Sequence, residues 1–188
     1  MEASRNGHEL VSVSLRPTLF GRNITLDLER GYLTMFKQIL AGLEASTADV
    51  VYLCEHDVLY HPSHFEFTPP RRDIFYYNQN RWMVDAESGK ALHHLANSTS
   101  GLCAYRDLLL EHYRKRVELV EAAGKYSRRM GFEPGTHNRA ERVDNYKAET
   151  WMAECPNIDL RHTQNLTPSR WSKEQFRNQK YTLSLIHI

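Results

Sequence analysis

Cysteine is scarce in this chain and poorly placed for pairing. Cys54, Cys103 and Cys155 are odd in number and far apart, and none forms a Cys-x-x-Cys pair. That pattern excludes a disulfide framework or a thiolate zinc site as the organising feature. Long apolar runs are also missing. No stretch approaches the ~20 apolar residues that span a bilayer, and the first residues lack the charged-then-apolar pattern of a signal peptide. A reducing cytoplasm is the expected compartment, and Asn23, Asn97 and Asn165, which open Asn-x-Ser/Thr triplets, read as coincidences of sequence. There is little excess charge either. With 24 Lys and Arg against 23 Asp and Glu, the net charge is +1, so neither nucleic acid nor an anionic membrane is an expected partner. Repeats and low-complexity linkers are absent. The 188 residues favour one domain with a sizeable core.

What is present centres on residues 49–57, Asp-Val-Val-Tyr-Leu-Cys-Glu-His-Asp. Val50 to Cys54 is a continuous apolar run rich in β-branched and aromatic residues, which predicts a central strand covered on both faces. Three polar side chains then follow with no turn residue between. Open α/β sheets bind their ligands at the carboxyl ends of such strands. If the chain stays extended, Glu55 and Asp57 lie on one side and His56 on the other. Carboxylates suit Mg²⁺ and Mn²⁺, and imidazole tolerates Mn²⁺. The alternative is that Glu55 and Asp57 are solvated loop acids.

Around this stretch, Leu10 to Leu15 reads as a strand ended by Pro17, and Ile24 to Leu28 as a short strand. Tyr32, Phe36, Ile39, Leu40 and Leu43 recur at helical spacing. Strand, helix and the Val50 strand predict a βαβ unit with parallel pairing. Strands are expected at Asp73–Tyr77 and Arg81–Val84, a turn at Asp85–Lys90, and a strand pairing back at Leu92–Leu95. A helix from about Tyr105 to Ala123 presents Leu108, Leu109, His112, Val117 and Val120 on its apolar side. A second helix is expected over Glu141–Met152, then a short strand, Ile158–Leu160, that delivers His162. Trp171 and Phe176 are expected packing anchors.

The stretch Cys54-Glu55-His56-Asp57-Val58-Leu59-Tyr60-His61-Pro62-Ser63-His64-Phe65 resembles the acidic metal motif of glycosyltransferases with the GT-A fold. It is similar, more closely, to bacterial and phage glycosyltransferase-like proteins with a Glu-His-Asp variant. Residues 100–106 and 156–162, Asn165-Leu166-Thr167 and Ser169-Arg170-Trp171 continue the resemblance, which covers roughly residues 10 to 182. It implies an α/β, GT-A-like (Rossmann-like) mixed sheet with helices on its faces, incomplete at the N-terminus, in one domain over 1–182. It implies a metal-dependent transferase, with a nucleotide-sugar donor and an acceptor that is a glycan, a lipid or another small molecule. The resembling proteins extend further at both ends, so the chain is expected to be a fragment. Residues 183–188, Leu-Ser-Leu-Ile-His-Ile, resemble a translated sequencing adaptor and are expected to be a non-native tail; the alternative is a genuine apolar strand.

The resemblance assigns roles residue by residue. Asp57 is the expected ligand of Mn²⁺ or Mg²⁺, with Glu55 joining through water or bonding the ribose, and His162 returning to the metal. Ser100 and Gly101 would lie under the donor sugar, and Arg161 and Arg170 would pair with phosphate oxygens. Glu133, in the loop after the long helix, is the expected general base, with Glu149 and Glu154 as rivals. His61 and His64 read as structural or donor-loop residues, and His56 as a packing residue; His93 and His94 are explained by chance among ten histidines. Trp82, Tyr76 and Tyr77 could stack on a sugar or nucleotide, although strand aromatics are more often core. Two other classes remain open: a metal-dependent phosphoesterase or other hydrolase using the same acids and histidines, and a non-catalytic nucleotide- or carbohydrate-binding module.

Overall fold

The computed structural model describes residues 7–93 and 95–163, with the backbone of Thr182 and Leu183. The chain is a mixed α/β protein in two compact units that interleave along the sequence. The first comprises Met1–Leu53, Thr68–Tyr76 and Cys103–Glu149; the second comprises Cys54–Phe67, Tyr77–Leu102 and Thr150–Ile188. Among the described residues no helix is long and apolar enough to cross a membrane.

In the first unit, β1 (Val11–Ser14) pairs in parallel with β2 (Arg22–Thr25) as a separate two-stranded sheet. Helix α1 (Tyr32–Ala45) follows, with Phe36 and Leu43 only 2% and 1% exposed, as the helical spacing requires. It lies against β1, where Gln38 Nε2 donates to the Val13 carbonyl at 3.1 Å. β3 (Val50–Tyr52) pairs antiparallel with β8 (Leu102–Tyr105), in a four-stranded sheet ordered β3-β8-β5-β9; β5 is Ile74–Asn78 and β9 is Lys147–Trp151. β5 and β9 run on into the second unit at Tyr77 and Thr150. Helix α2 (Arg106–Ala122) starts with Asp107 in its first turn, which complements the helix dipole. It ends at Gly124, whose φ of +66° suits the left-handed closing residue. Leu108, Leu109, His112, Tyr113, Arg116, Val117 and Val120 are buried along it. Phe36 and Tyr113 meet between the helices with ring centroids 6.4 Å apart.

The second unit holds a five-stranded sheet ordered β11-β7-β6-β10-β4. Its strands are β4 (Val58–Leu59), β6 (Arg81–Asp85), β7 (Ala91–His93), β10 (Asn157–Arg161) and β11 (Thr182–Leu183). β6 and β7 form a hairpin, in which Asp85 Oδ2 accepts from the Ser88 N–H at 3.0 Å. β10 runs parallel to β6 and antiparallel to β4. Buried Asn78 fastens the connections: its Oδ1 accepts from Asn80 N–H at 2.9 Å and from Ala153 N–H at 3.1 Å.

Four expectations are corrected. β3 is a half-buried edge strand of three residues, not a central one, because an apolar run does not reveal how many neighbours it gains. β1 and β3 are not parallel partners; β1 takes β2, and β3 takes β8. The chain is not extended through the acids: the Val58 N–H reaches the Glu55 carbonyl at 3.4 Å, so Glu55 to Val58 is a turn. Over Glu141–Met152 there is a loop and then β9 instead of a helix. Arg142 Nη1 donates to the His137 carbonyl and to Asn138 Oδ1, both at 2.6 Å. Asp144 binds buried His112. The local Arg142 bonds hold the loop and the long-range bond of Asp144 to His112 anchors it, and together they override the helical tendency. Residues 171 and 176 lie outside the described residues.

Candidate metal and donor site

Asp57 owes its position to β10. The Leu160 N–H donates to the Asp57 carbonyl at 2.9 Å, extending the β4–β10 ladder by one residue beyond Asp159↔Val58. Asp57 therefore faces Leu160 across the pair. Because side chains alternate along a strand, Asp57, Leu160 and His162 share one face. His162 Nε2 comes to 3.9 Å from Asp57 Oδ2, with the two side chains 34% and 14% exposed. Strand register, not a local motif, assembles this pair from residues far apart in the chain.

The next residues of β10 belong to the opposite face. Asp159, with its side chain 3% exposed, accepts from Arg81 and from Arg161 Nη1, the latter at 3.4 Å. One buried carboxylate thus serves two guanidinium groups. Arg161 is placed with Asp159, on the face away from His162.

Glu55 is exposed, but its backbone is pinned. Its N–H donates to the Tyr60 hydroxyl at 2.9 Å, and that hydroxyl donates to the Ser100 carbonyl at 3.0 Å. Tyr60 so ties the acidic turn to the small-residue stretch. Ser100 is 1% exposed, and its Oγ lies 3.0 Å from Ser98 Oγ. Gly101 is explained by the neighbouring strand: a Cβ there would meet the Asn78 carbonyl oxygen at 2.8 Å.

Glu133 belongs to the first unit, where its carbonyl accepts from Thr136 Oγ1 at 2.7 Å. Glu149 is exposed on β9 and Glu154 is exposed near the start of β10. Arg170 and His94 lie outside the described residues. His56 sits in the turn and is exposed. His61 caps a 3-10 turn, its Nδ1 accepting from the Ser63 N–H at 3.3 Å. His64 is fully buried, with its Nδ1 3.0 Å from Asn78 Nδ2 and its ring stacked on Trp151 at 5.8 Å. Burial pushes the His64 imidazole down to about 4, so it is neutral at ordinary pH. Tyr76 and Tyr77 are core residues, 2% and 0% exposed, whereas Trp82 is half-buried and stacks on His93 at 5.4 Å.

Sequence reasoning passed over Tyr60 and Asp159. The period-two alternation of Asn157, Asp159 and Arg161 against Ile158, Leu160 and His162 was the available signal for Asp159. Nothing local marks Tyr60, because the carbonyl that fixes its hydroxyl against Glu55 belongs to Ser100, in another segment.

Two donors that share one ion at about 2 Å each lie about 3 Å apart at a right angle, so Asp57 Oδ2 and His162 Nε2, at 3.9 Å, would have to draw together to share Mn²⁺ or Mg²⁺ at the usual angles. Among the described residues no group of three or more His, Cys, Asp or Glu side chains could hold a metal ion. A third protein ligand such as Glu55 is therefore not part of the arrangement as it stands. Set against family models, curated proteins and solved structures, the chain matches none of them.

Proposed function

We propose that the chain is a GT-A-like domain of a metal-dependent glycosyltransferase that uses a nucleotide-sugar donor. The observation that carries this reading is the approach of His162 Nε2 to Asp57 Oδ2 at 3.9 Å on one face of a sheet. It supplies one carboxylate oxygen and one imidazole nitrogen, a donor set that Mn²⁺ accepts. Ions of this class commonly take only one or two protein ligands and complete their coordination with waters and phosphate oxygens. A pair of protein donors is thus sufficient when a diphosphate supplies the rest.

A divalent ion held by Asp57 and His162 would neutralise charge on the diphosphate leaving group. The residues around it have separable tasks. Tyr60 holds the turn that carries Glu55 against Ser100, which fixes where the acidic motif ends. Asp159 pairs with Arg81 and Arg161 on the opposite face, which holds both guanidinium groups away from Asp57. Glu133 is proposed as the base that accepts the acceptor proton, on the grounds of its place in the chain order alone.

The test is release of nucleoside diphosphate from a panel of nucleotide sugars with Mn²⁺, with saccharide, lipid and small-molecule acceptors. The expected result is release that needs Mn²⁺ and is lost in Asp57→Asn and His162→Ala. Hydrolysis of p-nitrophenyl phosphate with no nucleotide present would instead make the chain a phosphoesterase. Nucleotide binding indifferent to both Mn²⁺ and Asp57 would remove the pair from the site.

A further inference from the structure

We propose that Arg116 of α2 is the centre of an anion site in the first unit, built to take a phosphate group. The guanidinium sits inside the protein without a counter-charge. Arg116 is 5% exposed, and its Nε is buried with no hydrogen-bond partner. Among the described residues it makes no hydrogen bond and no ion pair. What it meets is aromatic. Its Cζ lies 5.3 Å from the centre of the Phe36 ring on α1 and 5.8 Å from that of Tyr113 on its own helix. Cation–π attraction to these rings holds the group in place but gives its N–H edge no acceptor. A buried ion is costly unless it is paired and hydrogen-bonded. An unpaired one marks a place where the partner comes from outside.

The edge that remains is usable. Nη1 and Nη2 have no partner among the described residues, yet neither is sealed from solvent as Nε is. Two N–H groups of one guanidinium match two oxygens of a phosphate or a carboxylate.

The surroundings favour phosphate. The Arg116 charge acts on His112, one turn back on α2, and on Tyr126 and His137 in the segments that follow the helix. The acids of those segments have other partners. Asp144 is bound to His112 and accepts from the Tyr146 N–H at 3.1 Å, and Glu141 reaches Arg129 at 3.8 Å. His137 is held below the usual imidazole range by burial, then by Arg116, Arg142 and Arg139, with Glu141 opposing. Two further donors are open. The Arg139 N–H donates to His137 Nδ1 at 3.1 Å, so the ring proton lies on Nε2, which has no partner among the described residues. The Tyr126 hydroxyl has none either, and Gly131 leaves it room, since a Cβ there would stand 1.9 Å from that oxygen. A carboxylate would be satisfied by the guanidinium fork. A phosphate brings a third oxygen and a second charge, which the His137 Nε2–H and the Tyr126 hydroxyl are suited to meet. All these residues belong to the first unit, so the site rests neither on the Asp57–His162 pair nor on the glycosyltransferase reading.

The experiment is calorimetric titration and thermal melting of the full chain with inorganic phosphate, glycerol phosphate and acetate, in EDTA and at an ionic strength held constant with chloride. Both phosphates are expected to bind and to raise the melting temperature. Tighter binding of glycerol phosphate would identify a phosphate monoester as the ligand, and tighter binding of inorganic phosphate the free ion. Affinity should fall about tenfold or more in Arg116→Lys, which keeps the charge and loses the fork. Arg116→Met fills the space without charge. In phosphate-free buffer it should melt no lower than the unaltered chain, because no buried ion pair is broken, and it should not respond to phosphate. A marked fall in its melting temperature would make Arg116 a structural cation and overturn the proposal. So would failure of the unaltered chain to bind either phosphate, acetate binding as tightly as phosphate, or phosphate binding unchanged in Arg116→Lys and Arg116→Met.

Discussion

The Leu160 N–H bonds the Asp57 carbonyl at 2.9 Å, and this bond decides on which side of the sheet His162 emerges. His162 is two positions on from Leu160, so the histidine returns to the face that carries the Asp57 carboxylate. A slip of one residue would exchange His162 for Arg161 and turn the imidazole away. The geometry of the site is thus written in the pairing of a two-residue strand with a five-residue one.

If that pair binds the ion, Mn²⁺ with a nucleoside diphosphate should raise thermal stability. At a ligand concentration of 100 Kd the gain is about 2.7 kcal/mol, a shift of several degrees. Asp57→Asn should fold normally and show no Mn²⁺-dependent gain in a thermal-shift titration.

Asp159 makes a second test, on stability alone. Asp159→Ala leaves the Arg81 guanidinium buried without its carboxylate, since the Arg81 side chain is only 10% exposed. A loss of about 3–5 kcal/mol in denaturant unfolding is expected. Replacing Arg81 and Asp159 together by Met and Leu should cost far less. If the single and double variants unfold alike, the ion pair is not what holds β6 to β10.

Gly101→Ala should destabilise by about 1–3 kcal/mol, because its Cβ would stand 2.8 Å from the Asn78 carbonyl oxygen. A wild-type melting temperature in this variant would show that β5 can yield there.

Acid should weaken the fold through two histidines. Burial pushes His64 and His112 down from 6.5 to about 4. The unfolded chain therefore takes up protons below pH 6.5 that the folded chain accepts only near pH 4. Stability is complete above that window and falls as pH drops through it, by about 3 kcal/mol for His64, whose shift comes from burial alone, at roughly 1.4 kcal/mol per unit, and in the same direction for His112. Urea unfolding at intervals between pH 7.5 and 4 measures the slope. It should be shallower in His112→Asn, and a flat profile in the unaltered protein would refute the assignment.

Glu133→Gln keeps size and hydrogen bonding but cannot accept a proton. If Glu133 is the base, sugar transfer should fall about 10²–10⁴-fold with nucleotide affinity nearly unchanged. Undiminished transfer would send the role to Glu149 or Glu154; weakened nucleotide binding would mark Glu133 as a structural residue.

The sequence by itself determined the elements whose burial has a strong period. Tyr32, Phe36 and Leu43 predict α1, and Leu108, Leu109, His112, Val117 and Val120 predict α2, because a 3.6-residue repeat leaves one packing solution. The strand that carries His162 and the hairpin of Arg81 and Leu92 were equally legible from apolar runs and turn residues. The acidic stretch was legible as residue types, but not as geometry. Tertiary structure alone decided that Glu55 to Val58 turns, that β3 lies at an edge, and that residues 147–151 extend instead of coiling. Partners remote in sequence enter each of those outcomes: Leu160 for Asp57 and Ser100 for Tyr60 at the turn, β8 for β3, and His112 for Asp144 in the loop that leads to 147–151. Local propensities differ by less than about 1 kcal/mol per residue. A buried hydrogen bond or charge pair that only the folded chain can form is worth as much or more, so it overrules them.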